Sequence, residues 1–163
     1  MLPLHGSLPP EEQRKVFERP PPGVSKIVLS TNVAETSITI DDVVFVIDSG
    51  RVKALSYDAT RRLASLDDVR ISQAAAKQRC GRAGRVRAGL CVRLFPSDET
   101  LARFTEPEVR RVPLEQLVMR IKTLRLPGSA AAVASELPEP PAAAAVAASV
   151  AVLEDLEPSM ASR

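Results

Sequence analysis

The sequence predicts an α/β domain: a mostly parallel sheet flanked by helices, with a protruding β-hairpin and a short helical tail. Three observations predict it. Short runs of Val, Ile, Leu and Phe recur at residues 26–30 (KIVLS), 43–48 (VVFVID) and 90–95 (LCVRLF). Their hydrophobicity is continuous rather than alternating, which fits strands covered on both faces, as in a parallel sheet. The segments between them carry helix starts and helical periodicity. With 163 residues, 45% hydrophobic and 26% charged, the chain also has the composition of a folded domain and not of a disordered one.

The elements follow in chain order. Pro9-Pro10-Glu11-Glu12 opens a helix that continues through residues 13–18; prolines cost nothing in a first turn whose N–H groups lack partners, and carboxylates suit the positive end of the helix dipole. Residues 26–30 make the first apolar strand, and residues 30–41 (STNVAETSITID) lead to the second at residues 43–48. Ligands of open α/β sheets bind at the carboxyl ends of strands, so hydroxyls, an amide and two carboxylates there suit a site; a Ser/Thr-rich connecting loop has the same composition. Residues 51–58 and 65–72 read as two arms of a hairpin joined near Ala59-Thr60-Arg61-Arg62, either a functional projection or a plain surface excursion. Ser72 caps a helix over residues 73–78 that Gly81 stops. After the strand at residues 90–95, Pro113 opens an amphipathic helix with Leu114, Leu117, Val118, Ile121 and Leu124 on one face, ended by Pro127-Gly128.

From Leu126 onward the chain holds twelve alanines, five prolines and no aromatic residue. Residues 142–156 suit a helix with Val146, Val150 and Leu153 along one side, and so few small side chains must dock on the preceding segment or stay poorly ordered. No stretch has the roughly 18 apolar residues of a membrane span. Met1-Leu2-Pro3-Leu4-His5 lacks the basic start and apolar core of a signal peptide. Two cysteines, Cys80 and Cys91, build no disulfide framework, so a reducing compartment, cytoplasm or nucleus, is expected. His5 has no Cys/His partners at ligand spacing, reads as structural, and implies no metal site.

The net charge of +2 is unevenly distributed: residues 51–93 carry a balance of +8, and the segments on either side carry −3 each. A basic block in a near-neutral chain points to a phosphate-rich partner. Inside it lies Gln78-Arg79-Cys80-Gly81-Arg82-Ala83-Gly84-Arg85, two glycines among three arginines directly after a helix. Glycine lets the backbone approach a ligand, and guanidinium forks match phosphate oxygens. An Arg/Gly cluster can also be a flexible nucleic-acid tail, but here it sits between a helix and a core strand.

Residues 30–41 and 78–85 together resemble motifs V and VI of the DEAH-box/RHA family of superfamily 2 RNA helicases. Leu4-His5-Gly6-Ser7-Leu8-Pro9, Gln13-Arg14-Lys15-Val16-Phe17, Val46-Ile47-Asp48-Ser49-Gly50 and Val112-Pro113-Leu114-Glu115-Gln116-Leu117 agree with it, so the resemblance spans about residues 3–126. DEAD-box relatives typically have aspartate where Asn32 stands and histidine where Gln78 stands.

The resemblance implies a RecA-like second helicase lobe over residues 1–111, with its first strand missing, followed by a partial, alanine-rich winged-helix segment over residues 112–163. It implies Gln78, Arg82 and Arg85 facing a γ-phosphate, with Arg82 or Arg85 as arginine finger. Phe17 would stack on the base, Ser37 would sense the nucleotide state, and Thr39 and Asp41 would lie near the ribose. Thr31 and Asn32 would touch the RNA backbone, and Lys53, Arg61 and Arg62 would meet nucleic acid along the hairpin. The implied cofactor is ATP or another NTP, with Mg²⁺ held by a first RecA-like domain that this chain lacks, since neither G-x-x-x-x-G-K-[ST] nor Asp-Glu-Ala-His occurs in it. Single-stranded RNA bound without sequence preference, that first domain, and an activator protein on the winged-helix region are the implied partners; no membrane is. The implied activity is NTP-driven 3′-to-5′ translocation and unwinding. The alternative is a truncated, catalytically inactive RNA- or partner-binding fragment, and a third reading is a surface arginine cluster on an unrelated α/β domain.

Overall fold

The structure, a computed structural model, describes residues 1–58 and 63–156. The chain forms two compact units, one of residues 1–53 with 68–105 and the other of residues 54–67 with 106–163. The strands are β1 Leu2–Leu4, β2 Val28–Ser30, β3 Phe45–Asp48, β4 Arg51–Asp58, β5 Leu63–Arg70 and β6 Leu90–Arg93. The α-helices are α1 Pro10–Arg14, α2 Val33–Thr36, α3 Gln73–Cys80, α4 Glu115–Thr123, α5 Ala130–Ser135 and α6 Ala143–Leu156.

In the first unit, β1 pairs in parallel with β2 (Leu2 opposite Val28, Leu4 opposite Ser30), and β3 pairs in parallel with β6 (Phe45 opposite Leu90, Asp48 opposite Arg93). β4 and β5 pair as the hairpin, whose second arm starts two residues earlier than the sequence suggests. The α/β class and its parallel pairing hold, but among the described residues the strands form separate pairs and not one sheet. β1 has no counterpart in the sequence reading because Pro3 disguises it. Leu2 N–H donates to Ile27 O and Leu4 O accepts from Thr31 N–H, so the bonds to β2 come from the residues flanking Pro3. A proline whose missing N–H lies on the open side of an edge strand costs no ladder bond. Leu4 is fully buried, as is Val16 in the 3₁₀ turn Lys15–Phe17 that ends α1. Lys26 anchors that turn: its Nζ donates to Val16 O (2.8 Å) and Glu18 O (3.0 Å) and pairs with Asp42 (2.7 Å).

The expectation that the apolar strands are covered on both faces is corrected. Successive strand residues alternate faces, and the β3–β6 pair buries Asp48 on one side while Phe45 and Ile47 are 70% and 72% exposed on the other. Leu90 and Val92, opposite Phe45 and Ile47, are exposed too. Continuous hydrophobicity registers that both faces are apolar, and only one of them has an element packed on it among the described residues.

α3 forms as predicted. Ser72 Oγ accepts from Ala75 N–H (3.2 Å) at its N-cap and is itself bonded by Thr105 Oγ1 (3.1 Å). Ile71, Ala75 and Ala76 form the buried cluster beneath, with Val52, Phe95 and Leu101 against it. Gly50 lies at φ +70, and a side chain there would overlap the Phe95 ring.

In the second unit, Leu114, Val118 and Ile121 are buried along one stripe, and Leu114 and Val118 share a core cluster with Ala134 of α5 and Val146 of α6. Leu124, expected on that face, is exposed. It lies beyond the last turn of α4, where Arg125 takes φ +51 and breaks the helical periodicity. α5 was not legible in the alanine-rich sequence; Ser129 caps it by accepting from Ala132 N–H (3.2 Å). α6 docks on α4 and α5, and its buried Ser149 donates to Glu115 Oε1 (3.3 Å). Among the described residues no helix is long and apolar enough to cross a membrane.

Candidate functional site

The site begins where β2 ends. Thr31 and Asn32 follow the last strand residue, and both side chains are exposed. The Ser/Thr run is not all loop, because α2 forms one turn within it. Asn32 stands at the N-cap of α2 without using its side chain to cap, which leaves the amide free for another partner.

The next layer is an ion cluster around Arg79. Its Nε donates to Glu35 Oε2 on α2 (3.0 Å), and its Nη1 donates to Asp48 Oδ1 at the end of β3 (2.8 Å) and to Arg51 O at the start of β4 (3.1 Å). The Arg79 and Glu35 side chains are each 15% exposed and that of Asp48 only 1%. Burial works against the charge on Arg79, but hydrogen bonds and attraction from Asp48 and Glu35 outweigh it and raise its pKa. Asp48 Oδ1 also accepts from Gly50 N–H (3.0 Å), fixing the turn into the hairpin. One planar fork thus joins α2, α3, β3 and the hairpin base, a geometry a point-charge lysine does not reproduce. Sequence reasoning missed Arg79, Glu35 and Asp48 as a unit. Two signals pointed to them: Arg79 lies one turn beyond Ala75 and Ala76 on the buried face of α3, and Asp48 follows Val46 on the inner face of an apolar strand.

The other two arginines behave differently. Arg82 Nη1 donates to Ile38 O (3.1 Å), while its Nε is buried with no partner among the described residues. Its pKa is lowered, by burial first and then by repulsion from Arg85, against a weaker pull from Glu35. Arg85 is exposed. Neither forms an ion pair among the described residues. An unsatisfied buried donor costs about 1–3 kcal/mol, and more when charged, so an anion accepting from Arg82 relieves a standing deficit. The Ile38 carbonyl joins this loop to residues 37–41, where Ser37, Thr39 and Asp41 are all exposed.

Of the other predicted positions, Gln78 is exposed on α3, about 100° around the helix from Arg79. Phe17 is 51% exposed at the end of the 3₁₀ turn while its neighbour Val16 is buried, so its ring does not serve the core. Lys53 is exposed on β4, and Arg61 and Arg62 lie outside the described residues. No three His, Cys, Asp or Glu side chains gather as a metal set among the described residues.

The family model "Helicase conserved C-terminal domain" matches residues 1–87. The human protein DHX57 is 53% identical over 159 residues, which cover 94% of this chain and 12% of that protein. DExH-box ATP-dependent RNA helicase DExH1 of Arabidopsis thaliana is 48% identical over 158 residues, covering 96% of this chain and 16% of the relative. Among solved structures, the E. coli DExH-box NTPase HrpB superposes with a TM-score of 0.79 at 35% identity, over 94% of this chain and 19% of that one. The chain therefore spans only about an eighth to a sixth of the length of these curated relatives.

Proposed function

This chain belongs to the helicase conserved C-terminal domain family, in its DExH-box branch, and we propose that in a longer ATP-dependent RNA helicase it is the lobe that completes the nucleotide site from the far side of a cleft. The observation that carries this reading is Arg82: among the described residues its buried Nε has no partner, and Arg85 beside it has no ion pair. Two guanidinium groups held near each other against their mutual repulsion are poised for a multiply charged anion. A nucleoside triphosphate with Mg²⁺, held by a preceding lobe, supplies the anhydride bond to be broken and much of its charge neutralisation. Arg82 and Arg85 counter the charge that spreads over the transferred phosphoryl oxygens, an effect worth roughly 10³–10⁵ in rate, or about 4–7 kcal/mol of barrier. Gln78 adds a polar contact from the helix that leads to them, Ser37, Thr39 and Asp41 take the sugar side, and Phe17 offers an exposed ring to the base.

Thr31, Asn32 and Lys53 contact the RNA backbone, which makes binding tolerant of sequence and sensitive to salt. Arg79 makes the two functions one device. Its bond to Glu35 fixes the α2 turn that begins at Asn32, and its place on α3 fixes the helix leading to Arg82 and Arg85. Residues 1–163 alone contain no phosphate loop and are expected to hydrolyse ATP negligibly.

The test uses a complete parent protein. Arg85→Ala is expected to abolish RNA-stimulated turnover with little loss of RNA affinity, and Thr31→Ala to weaken RNA binding equally across sequences. Near-normal kcat in the first variant removes the finger role. Weakening confined to one RNA sequence in the second replaces backbone contact with base readout.

A further inference from the structure

We propose that Cys80 and Cys91 are a redox modification site, closing an intramolecular disulfide when the protein meets a peroxide. Both are free thiols, Cys80 exposed as the last residue of α3 and Cys91 half-buried as the second residue of β6. The fold brackets them on two sides. In the β3–β6 register, Cys91 stands opposite Val46 and Arg93 opposite Asp48, so Cys91 projects from the sheet face that carries Asp48. On that face Arg79, the residue before Cys80, bonds Asp48 at 2.8 Å. On the other side, the Ala83 carbonyl lies so close to Gly89 that no Cβ fits there. Ala83 N–H in turn donates to Cys80 O (3.2 Å), and Gly89 is two residues before Cys91. The turn that follows α3 therefore meets the residue that precedes β6, with a thiol just before the turn and another just after Gly89. Their electrostatics agree: burial, then the neighbouring Cys80 thiol, pushes the Cys91 thiol up.

The exposures assign the order of events. The Cys80 thiolate attacks one peroxide oxygen, the O–O bond breaks, and hydroxide leaves and takes up a proton, so Cys80 becomes a sulfenic acid. The Cys91 sulfur then attacks the Cys80 sulfur, the S–OH bond breaks, and the hydroxyl leaves as water with the Cys91 proton. Two thiols have supplied the two electrons that reduce one peroxide, and a small thiol reverses the bond by exchange. The bridge pins the turn between Arg79 and Arg82 to β6. The inference does not require either Arg82 or Arg85 to meet a phosphate.

The experiment treats residues 1–163 with hydrogen peroxide, blocks remaining thiols with iodoacetamide and digests with trypsin. Flanking arginines release Cys80 in residues 80–82 and Cys91 in residues 88–93. The expected result is joint loss of both alkylated peptides and appearance of the linked pair, with the protein monomeric on a non-reducing gel and the change reversed by dithiothreitol. Cys80→Ser and Cys91→Ser each remove the linked pair. Cys80 carried on to sulfinic acid while Cys91 stays fully alkylated overturns the proposal, as does a product dominated by intermolecular dimers. These readouts are masses, so they fail or succeed independently of any helicase assay.

Discussion

Replacing Arg79 by alanine tests how the site is held together. The substitution removes the one cation among the described residues that pairs with both Glu35 and Asp48. Glu35, 15% exposed on a short turn with no buried residue, regains water at modest cost. Asp48 cannot: its side chain is 1% exposed, and its Oδ2 already lacks a partner among the described residues. Breaking a buried pair from one side costs about 3–5 kcal/mol, a large share of the 5–15 kcal/mol that holds a typical domain. For a chain of this size, that corresponds to a melting temperature lower by roughly 6–20 °C. The chain has no tryptophan and one tyrosine, so far-ultraviolet circular dichroism during urea and thermal unfolding is the suitable assay. Arg79→Lys is expected to fall between wild type and alanine, because an ammonium meets one carboxylate but does not span the two. Arg82→Ala is the control: among the described residues it loses one bond to Ile38 O, worth about 0.5–1.5 kcal/mol, and also removes a buried donor without a partner, so its net cost is expected to be no more than about 1.5 kcal/mol. If Arg79→Ala stays within about 0.5 kcal/mol of wild type, the range of an inconsequential surface change, or costs less than Arg82→Ala, the reasoning is wrong.

Two further outcomes follow from the packing. Gly89→Ala inserts a methyl group into the Ala83 carbonyl, a backbone atom that cannot rotate away, and is expected to cost about 1–3 kcal/mol in the same unfolding assay. A double change of Phe45 and Ile47 to lysine removes apolar groups from an exposed strand face. It is expected to leave stability within about 0.5 kcal/mol while reducing dye binding and self-association in light scattering; a large loss of stability shows instead that this face is packed.

Much of the site was legible because its chemistry is local in sequence. Three arginines and two glycines within eight residues mark a candidate anion site, and Ser72 followed by an alanine run announces the helix that leads there. Thr31 and Asn32 were legible because they follow an apolar strand, where open sheets place their ligands. What could not be read was which arginine does what. Arg79, Arg82 and Arg85 are chemically equal in the sequence, and only the fold separates Arg79, turned inward from α3 to two carboxylates, from Arg82 and Arg85 in the turn that follows the helix. β1 was hidden by Pro3, and α5 by a composition in which alanine carries no periodicity.

The sequence by itself determined the class of the domain, most of its strands and helices and the segments proposed to meet phosphate and RNA, since propensity, capping and short motifs act between near neighbours. Only the tertiary structure decided that Glu35, Asp48 and Arg79, up to 44 residues apart, form one cluster. The same is true of which face of the β3–β6 pair is left open and which two thiols become neighbours. Burial and charge pairing depend on what lies across space, and one sequence does not state its own distances.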